Sequence, residues 1–362
     1  MSDDPLAGVR SLVGGAQANT CYFRTAAGGE GRKALVQITE RCNLHCAHCF
    51  VSSTRHGADL SLQLIGERVL PRLVAARVQR VTLTGGEPFV HPEVIEICQA
   101  ATDSGLAVGL CTNATCVSDE QIARLAEMDG VHVNVSFDGF RAESHGRFRG
   151  NPASFDVTVQ TTRRIADAGL LQGLLSTPNA LTTVEDYREL CRFATAVGAE
   201  YVLMNPLSAF GRGARSQRRL AADEHTMSAI LQTARAEAGE DVQIVPIRFP
   251  NTAGAALAPC IAGDIIYVFV DGAVAVCPYL VFAARSPASR HADTEFLVAN
   301  ILEQDIAEAL DRYCPQALAV TDPVCGSCAL SGRCGQGCPA AVIADGGTLG
   351  TRDRELCPID DA

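Results

Sequence analysis

Short apolar runs alternate with amphipathic segments through the first half of the chain. The apolar runs have the length and composition of buried strands, and the segments between them repeat apolar residues with helical spacing. Strands that alternate with helices at this spacing predict a parallel sheet with crossover helices. The predicted strands are 35–38, 81–83, 107–110, 131–137, 170–175 and 201–204. The predicted helices are 61–77, 92–104, 118–128, 155–168 and 183–197.

Six such units predict an α/β fold with an incomplete, TIM-like (β/α)6 barrel. In barrels of this kind the active site lies at the C-terminal ends of the strands. The alternation is expected to stop near Asn205, and the chain becomes loop-rich and cysteine-rich from Pro259 onward. The predicted division is an N-terminal extension 1–33, a core barrel 34–215, a linking helical region 216–258 and a C-terminal domain 259–362.

Composition narrows the class of protein. The chain is 47% hydrophobic and 20% charged, an ordinary mix for a globular protein. No apolar run is long enough to span a membrane, and the N-terminus, with Asp3 and Asp4, lacks a signal-peptide pattern. We therefore expect a cytoplasmic protein without a membrane partner. The net charge of −11 argues against nucleic acid as the main partner.

Sixteen cysteines are the most informative part of the composition. Disulfides are rare in the cytosol, so clustered cysteines there are more often metal ligands or catalytic thiols.

The first cluster follows the first predicted strand. Cys42, Cys46 and Cys49 have CxxxCxxC spacing. Three thiolates can hold three irons of a 4Fe–4S cluster and leave the fourth iron open for an outside ligand. A zinc loop that uses the nearby His45 and His48 is the alternative.

The second predicted strand ends in Thr84-Gly85-Gly86-Glu87-Pro88. Two glycines allow the backbone to approach a ligand closely. In a barrel this turn would lie beside the cysteine loop.

Together the two motifs resemble the radical S-adenosylmethionine (SAM) superfamily. The resemblance implies that the amino and carboxylate groups of SAM chelate the open iron and that the GGEP-like turn holds the amino group. Thr112-Asn113 ends strand three, where Ala114 replaces a common glycine, and Ser136 ends strand four. Ser136 and Arg149 are the candidates for the SAM carboxylate, since a guanidinium suits a carboxylate. The implied cofactor-binding residues are Gly85, Gly86, Glu87, Pro88, Asn113, Ser136, Asp138 and Arg149.

The C-terminal cysteines resemble the SPASM extension of radical SAM enzymes, as in the maturases of subtilosin, pyrroloquinoline quinone and mycofactocin type. That resemblance implies two auxiliary 4Fe–4S clusters and thus three clusters in all. Cluster I would be held by Cys260, Cys277 and Cys338. Cluster II would be held by Cys325, Cys328, Cys334 and Cys357.

Two features depart from the sulfatase-maturating relatives. No cysteine follows Cys260 closely, so cluster I has an open iron or an unidentified fourth ligand, for which Cys314 is the nearest spare cysteine. Pro278 replaces the Asp that serves as a base in those enzymes, so sulfatase maturation is not expected.

Most of the remaining cysteines are expected to be small buried hydrophobic residues. Cys111 and Cys116 flank the end of strand three, where either could donate a hydrogen atom to a substrate radical.

The implied reaction is cleavage of SAM to a 5′-deoxyadenosyl radical, which abstracts hydrogen from a substrate, with a flavodoxin or ferredoxin as electron donor. A peptide side chain in natural-product biosynthesis is the first expectation. The alternative is dehydrogenation, epimerisation or decarboxylation of a small natural product such as an aminosugar or sugar nucleoside, which the short segment before the first strand favours. A non-catalytic iron–sulfur carrier is a third possibility.

Overall fold

A single mixed sheet organises the protein. The computed structural model describes residues 31–313 and 318–359. Within these residues ten strands form one sheet, in the order β10-β9-β8-β1-β2-β3-β4-β5-β6-β7. The strands are β1 Arg32–Thr39, β2 Val78–Gly85, β3 Ala107–Thr112, β4 Val131–Ser136, β5 Leu171–Ser176, β6 Tyr201–Met204, β7 Gln243–Pro246, β8 Ile265–Val268, β9 Ala273–Ala275 and β10 Leu297–Asn300.

Helices connect these strands and cover the sheet. The first connection combines a short helix Leu62–Leu64, a π-helical turn Ile65–Val69 and α1 Leu70–Ala75. The other helices are α2 Val94–Asp103, α3 Asp119–Ala126, α4 Ser154–Asp167, α5 Val184–Ala196, α6 Arg212–Leu220, α7 Glu224–Glu237, α8 Pro278–Ala284, α9 Ala307–Arg312, α10 Pro323–Ser327 and α11 Pro339–Ala344. None of the helices within the described ranges is long and apolar enough to cross a bilayer.

The α/β fold with a mostly parallel sheet is confirmed. All strands from β1 to β7 pair in parallel with their neighbours in chain order. The helix starts have local causes, since Ser118 and Thr183 form capping boxes at α3 and α5. The predicted strands and helices of the first 204 residues match the observed ones to within a few residues.

The prediction that the alternation stops near Asn205 is wrong. Helices α6 and α7 lead to β7, which pairs in parallel with β6. At the other edge β8, from the C-terminal part, pairs in parallel with β1. Strands β7 and β8 have only four residues each. Two helices separate β7 from its partner β6, and β8 is far in sequence from its partner β1. The local sequence pattern that would predict these strands is therefore weak. The proposed domain boundaries stay a prediction.

Candidate active site

A cavity of about 180 Å³ lies at the C-terminal ends of the parallel strands. The cysteine loop that follows β1 forms one wall, and the ends of β2 to β6 form the floor. Pro278 and Tyr279, at the start of α8, close part of the opposite side. The parallel strands therefore gather the predicted site residues at one edge of the sheet, as expected for this architecture.

The cysteine loop is anchored by the rest of the protein. Cys42 and Cys46 are buried and Cys49 is half-buried, and all three line the cavity. The N–H of Cys42 donates to the carbonyl of Thr54 (2.6 Å), and the N–H of Ala47 donates to the carbonyl of Phe148 (2.8 Å). The loop conformation thus depends on partners in two other segments.

Arg212 is a further anchor that the sequence did not identify. Its Nε donates to the carbonyl of Cys46 (2.8 Å) and its Nη1 to that of Ser53 (2.6 Å). The backbone N–H of Arg212 also donates to the carbonyl of Cys49 (3.0 Å). From α6, Ser216 Oγ donates to the carbonyl of Ala47 (2.9 Å). One helix therefore fixes the backbone between the first-cluster cysteines.

The two glycines of the turn after β2 also have a packing role that the sequence did not identify. A Cβ atom at Gly86 would lie 2.1 Å from the carbonyl oxygen of Arg41, and one at Gly85 would lie 2.2 Å from that of Thr39. Gly85 also has a φ of +146°, which favours glycine. The N–H of Gly86 donates to Thr39 and that of Glu87 to Arg41, both at 2.9 Å. Both glycines line the cavity, but their small size is required for contact with the start of the cysteine loop.

Glu87 joins the ends of two strands. Its buried carboxylate accepts hydrogen bonds from Thr112 Oγ1 and from the N–H of Asn113, both at 2.7 Å. Asn113 Nδ2 in turn donates to Asn43 in the cysteine loop (2.9 Å). Glu87 and Asn113 line the cavity, whereas Pro88 is buried in a 3-10 turn outside that lining. Glu87 therefore positions neighbouring segments.

The cavity lining also includes Ser136, Asp138 and Arg149. Arg149 Nη2 lies 2.9 Å from Asp138 Oδ2, and both residues are buried. Nε of Arg149 has no hydrogen-bond partner in the described structure, so the guanidinium retains a donor for a ligand. Asp138 also accepts from the N–H of Thr177 (2.8 Å), and the nearby Arg149 charge holds its pKa below the usual range despite burial.

The electrostatics of the cysteine wall favour neutral thiols unless a metal is bound. Burial raises the pKa of Cys42 to about 11 and that of Cys46 to about 12, and the neighbouring thiols add to the effect. Arg149 opposes these shifts. Thiols in this environment stay protonated on their own, and a bound metal supplies the positive charge that favours thiolates.

The histidines of the loop occupy different environments. His45 is exposed, whereas His48 lines the cavity and stacks on Phe148 with ring centroids 4.7 Å apart. In residues 31–313 and 318–359, no group of three His, Cys, Asp or Glu side chains could hold a single metal ion. In a 4Fe–4S cubane each thiolate binds a different iron, so the cysteines surround the cluster and do not converge on one ion. The cysteines of this loop likewise line a cavity.

The two candidate hydrogen-atom donors are separated. Cys111, near the end of β3, is half-buried and lines the cavity beside Leu175 and Leu203. Cys116 is exposed and lies outside that lining. Of the two, Cys111 is the one that lines the cavity, and its role as a hydrogen-atom donor stays a prediction.

The C-terminal cysteines form the two predicted sets. Cys260, Cys277 and Cys338 line one small cavity, whose other described walls are apolar side chains and a glycine. Cys325, Cys328, Cys334 and Cys357 line a second cavity together with Arg352. The structure brings each set together, while Cys314 lies outside the described residues.

Comparison with known proteins defines the class. The sequence profile of the radical SAM superfamily matches residues 36–194, the segment that supplies the cysteine loop and the first five strands. This segment is a radical SAM domain, and the protein is an enzyme of the radical SAM type. Such a domain implies SAM and one 4Fe–4S cluster as cofactors.

Particular relatives extend the match. The chain is 28% identical to mycofactocin maturase MftC of Mycobacterium ulcerans over 332 residues, which cover 88% of this chain and 86% of the relative. It is 35% identical to the AdoMet-dependent heme synthase of Methanosarcina barkeri over 130 residues, 34% of this chain and 36% of that one.

A solved structure shares the fold. The crystal structure of Streptococcus suis SuiB bound to precursor peptide SuiA matches with a TM-score of 0.69 at 14% identity, covering 89% of this chain and 75% of SuiB.

Proposed function

We propose that this radical SAM enzyme abstracts hydrogen from a peptide side chain during maturation of a natural product. Cys42, Cys46 and Cys49 hold the SAM-binding cluster in this proposal. A SPASM domain at 259–362 holds two auxiliary clusters through the two C-terminal cysteine sets. A flavodoxin or ferredoxin supplies electrons.

The observation that carries the proposal is the shared cavity wall. Cys277 belongs to the first C-terminal set, and Pro278 and Tyr279 directly after it line the cavity of the SAM-site cysteines. Tyr279 packs against Phe50 of the cysteine loop (6.2 Å between ring centroids) and accepts a hydrogen bond from Asn205 Nδ2 (3.1 Å). A substrate in this cavity therefore lies between the SAM site and the first C-terminal set.

Two further cavities provide a path for an extended substrate. One of about 90 Å³ shares Asn205, Ser208 and Tyr279 with the main cavity and also contacts Cys338. A third cavity, of about 100 Å³, shares Gln217 with this second cavity. A series of three adjoining cavities suits an extended peptide better than a compact small molecule.

The extent of the sequence matches favours the same substrate class. The maturase match spans 88% of this chain, whereas the heme synthase match covers about a third. SuiB, which shares the fold, was crystallised with a precursor peptide. These relatives support a peptide substrate for this chain.

The bound cofactors supply the one-electron cleavage of SAM and the resulting carbon-centred oxidant. The residues of this chain position them. The glycine turn and Arg212 hold the cysteine loop, and Arg149 offers a guanidinium to the SAM carboxylate. Apolar walls such as Leu175 and Leu203 limit the access of water to the reacting atoms.

Iron content tests the cofactor assignment. Anaerobically reconstituted protein should hold about twelve irons, and Cys42→Ala/Cys46→Ala/Cys49→Ala should remove about four. Removing Cys325 and Cys328 should remove a different set of about four. A wild-type content near four irons would contradict the auxiliary clusters, although the radical SAM site would stand.

Isotope transfer tests the substrate. We expect the dithionite-reduced enzyme to move deuterium into 5′-deoxyadenosine from a deuterated precursor peptide encoded beside its gene. Ala341→Phe, which narrows the second cavity, should abolish this transfer and leave substrate-free SAM cleavage intact. Transfer from a sugar nucleoside and none from the peptide would favour the small-molecule alternative.

A further inference from the structure

One buried or mostly buried arginine accompanies each of the three cysteine sets. Arg149 is 6% exposed beside Cys42 and Cys46, and Arg352 is 3% exposed in the cavity of Cys325 and Cys357. Arg248 lies near Cys338. Burial of a guanidinium costs free energy unless charges or hydrogen bonds compensate it. Each of these arginines is therefore expected to have nearby groups that offset this cost.

Two of the three arginines are explained by a carboxylate within direct hydrogen-bond distance. Arg149 pairs with Asp138 on the wall of the main cavity. Arg248 pairs with Asp353, whose Oδ2 also accepts from the backbone N–H of Cys338 (3.0 Å), so that pair fixes a cysteine backbone.

Arg352 differs because its guanidinium contacts a cysteine sulfur. Its Nη1 lies 3.9 Å from Sγ of Cys357 and donates to the carbonyl of Ile359 (2.8 Å). Its Nε is 3.5 Å from Oδ2 of Asp322, the residue that caps the helix carrying Cys325.

We propose that Arg352 tunes the reduction potential of the cluster held by Cys325, Cys328, Cys334 and Cys357, and stabilises its reduced form. This inference rests on the proposed assignment of these four cysteines as ligands. Reduction adds one electron to the cluster and breaks no bond. A fixed positive charge a few ångströms away in a poorly solvated cavity favours the more negative state.

The position of this set suits such tuning. Its four cysteines are half-buried, and its cavity shares no wall residue with the main cavity. A cluster near the surface exchanges electrons with outside partners, and a buried cation there makes it the better acceptor. Arg352 is thus a positioning charge and not a catalytic residue.

Redox titration of the full-length protein, followed by electron paramagnetic resonance with dithionite as reductant, tests this inference. The Cys42→Ala/Cys46→Ala/Cys49→Ala background removes the overlapping SAM-cluster signal. In Arg352→Gln the ratio of oxidised to reduced cluster at a fixed poise should rise at least about tenfold, which is 59 mV for a one-electron couple. Arg352→Lys should shift the ratio less, because it keeps the charge.

Two further variants separate charge from structure. Arg333→Gln makes the same charge change next to Cys334, but Arg333 is exposed and water screens it, so the ratio should not change. Asp322→Asn keeps a capping side chain and removes a negative charge, so it should shift the ratio in the opposite direction.

The outcomes are distinct. Equal ratios in Arg352→Gln and Arg333→Gln, with iron content unchanged, overturn the inference. A shift of the ratio in the same direction in Arg352→Gln and Asp322→Asn also overturns it. If Arg352→Gln loses iron, an unchanged ratio in Asp322→Asn overturns it instead. Failure of Cys325→Ala/Cys328→Ala to remove any iron would instead contradict the cluster assignment in the proposed function.

Discussion

The cysteine loop 42–49 and the C-terminal segment 318–359 hold their cysteines in opposite ways. The loop lies on a parallel sheet and is bonded to α6 and to the turn after β2. The C-terminal segment has two helices of five and six residues, α10 and α11. Its buried hydrophobic residues, among those described, are Leu318, Ala340, Ile343 and Ala344.

We infer from this contrast that the same ligand chemistry would serve two purposes. In the loop, the protein fold builds the cavity wall, and the cluster of the proposed function would be added to it. In the C-terminal segment few apolar side chains are buried, so we expect the two auxiliary clusters of the proposed function to supply much of the folding free energy, as metals do in small metal-binding domains.

Removal of iron should therefore have the largest effect, and it should destabilise the C-terminal segment without destabilising the sheet. Chelation under anaerobic conditions should expose backbone amides of 318–359 to rapid hydrogen exchange, while β1 to β6 stay protected. Peptide-level exchange by mass spectrometry measures both regions in one sample. Equal loss of protection in the two regions would remove the contrast.

A methyl group at Gly86 should have the next largest effect. Gly86→Ala places Cβ 2.1 Å from the carbonyl oxygen of Arg41, so the cysteine loop must move. We expect the loss of about four irons and of SAM cleavage, with the C-terminal clusters retained. Gly66→Ala is the matched control, because a Cβ there has nothing within 4 Å. Normal iron content in Gly86→Ala would show that the loop does not depend on this contact.

Loss of the Arg212 clamp should have an intermediate effect. Arg212→Ala removes the hydrogen bonds to the carbonyls of Cys46 and Ser53, each worth about 1 kcal/mol or more. The SAM-binding cluster should then be lost to a chelator roughly tenfold faster, and Arg212→Lys should recover part of this difference. Arg215→Ala on the exposed side of the same helix should behave as wild type. Iron release followed by absorbance gives the rates.

The sequence predicted the features that depend on local patterns better than those that depend on contacts between distant segments. Cysteine spacing and the GGEP turn are local patterns, and they identified the site and its class. The clamp by Arg212 joins residues 166 positions apart, and the pairing of β8 with β1 places Ile265 beside Lys33. No local periodicity encodes such pairs, which arise only when the sheet forms.

The glycine turn shows a different limit. Its sequence indicated a close approach, and a close approach is what the structure contains, but to the backbone of Thr39 and Arg41. Sequence patterns show that space is needed without showing what fills it. Arg352 has no recognisable motif at all, since its meaning depends on its contact with Cys357.

The smallest expected effect is on stability and comes from replacing Asp186, which supports the segment between Asp138 and Arg149. Its buried carboxylate accepts hydrogen bonds from the N–H of Phe140 (2.9 Å), from Ser144 Oγ (2.6 Å) and from Arg141 Nη2 (2.7 Å). These bonds order the segment between Asp138 and Arg149. They hold the pKa of Asp186 at about 2, although burial alone would raise it.

A depressed carboxylate pKa has a defined signature in stability. The stabilisation is complete above the unfolded-state value near 4 and is lost only as pH falls toward about 2. Asp186→Asn should therefore cost about 2 kcal/mol and lower the unfolding temperature by a few degrees equally at pH 5.5 and pH 8. Calorimetry of the anaerobic protein at both pH values measures the difference, and Asp167→Asn, at the C-terminal end of α4, is the control. A cost that changes between these pH values would mean that Asp186 titrates in this range and that the network around it is weaker than its contacts indicate.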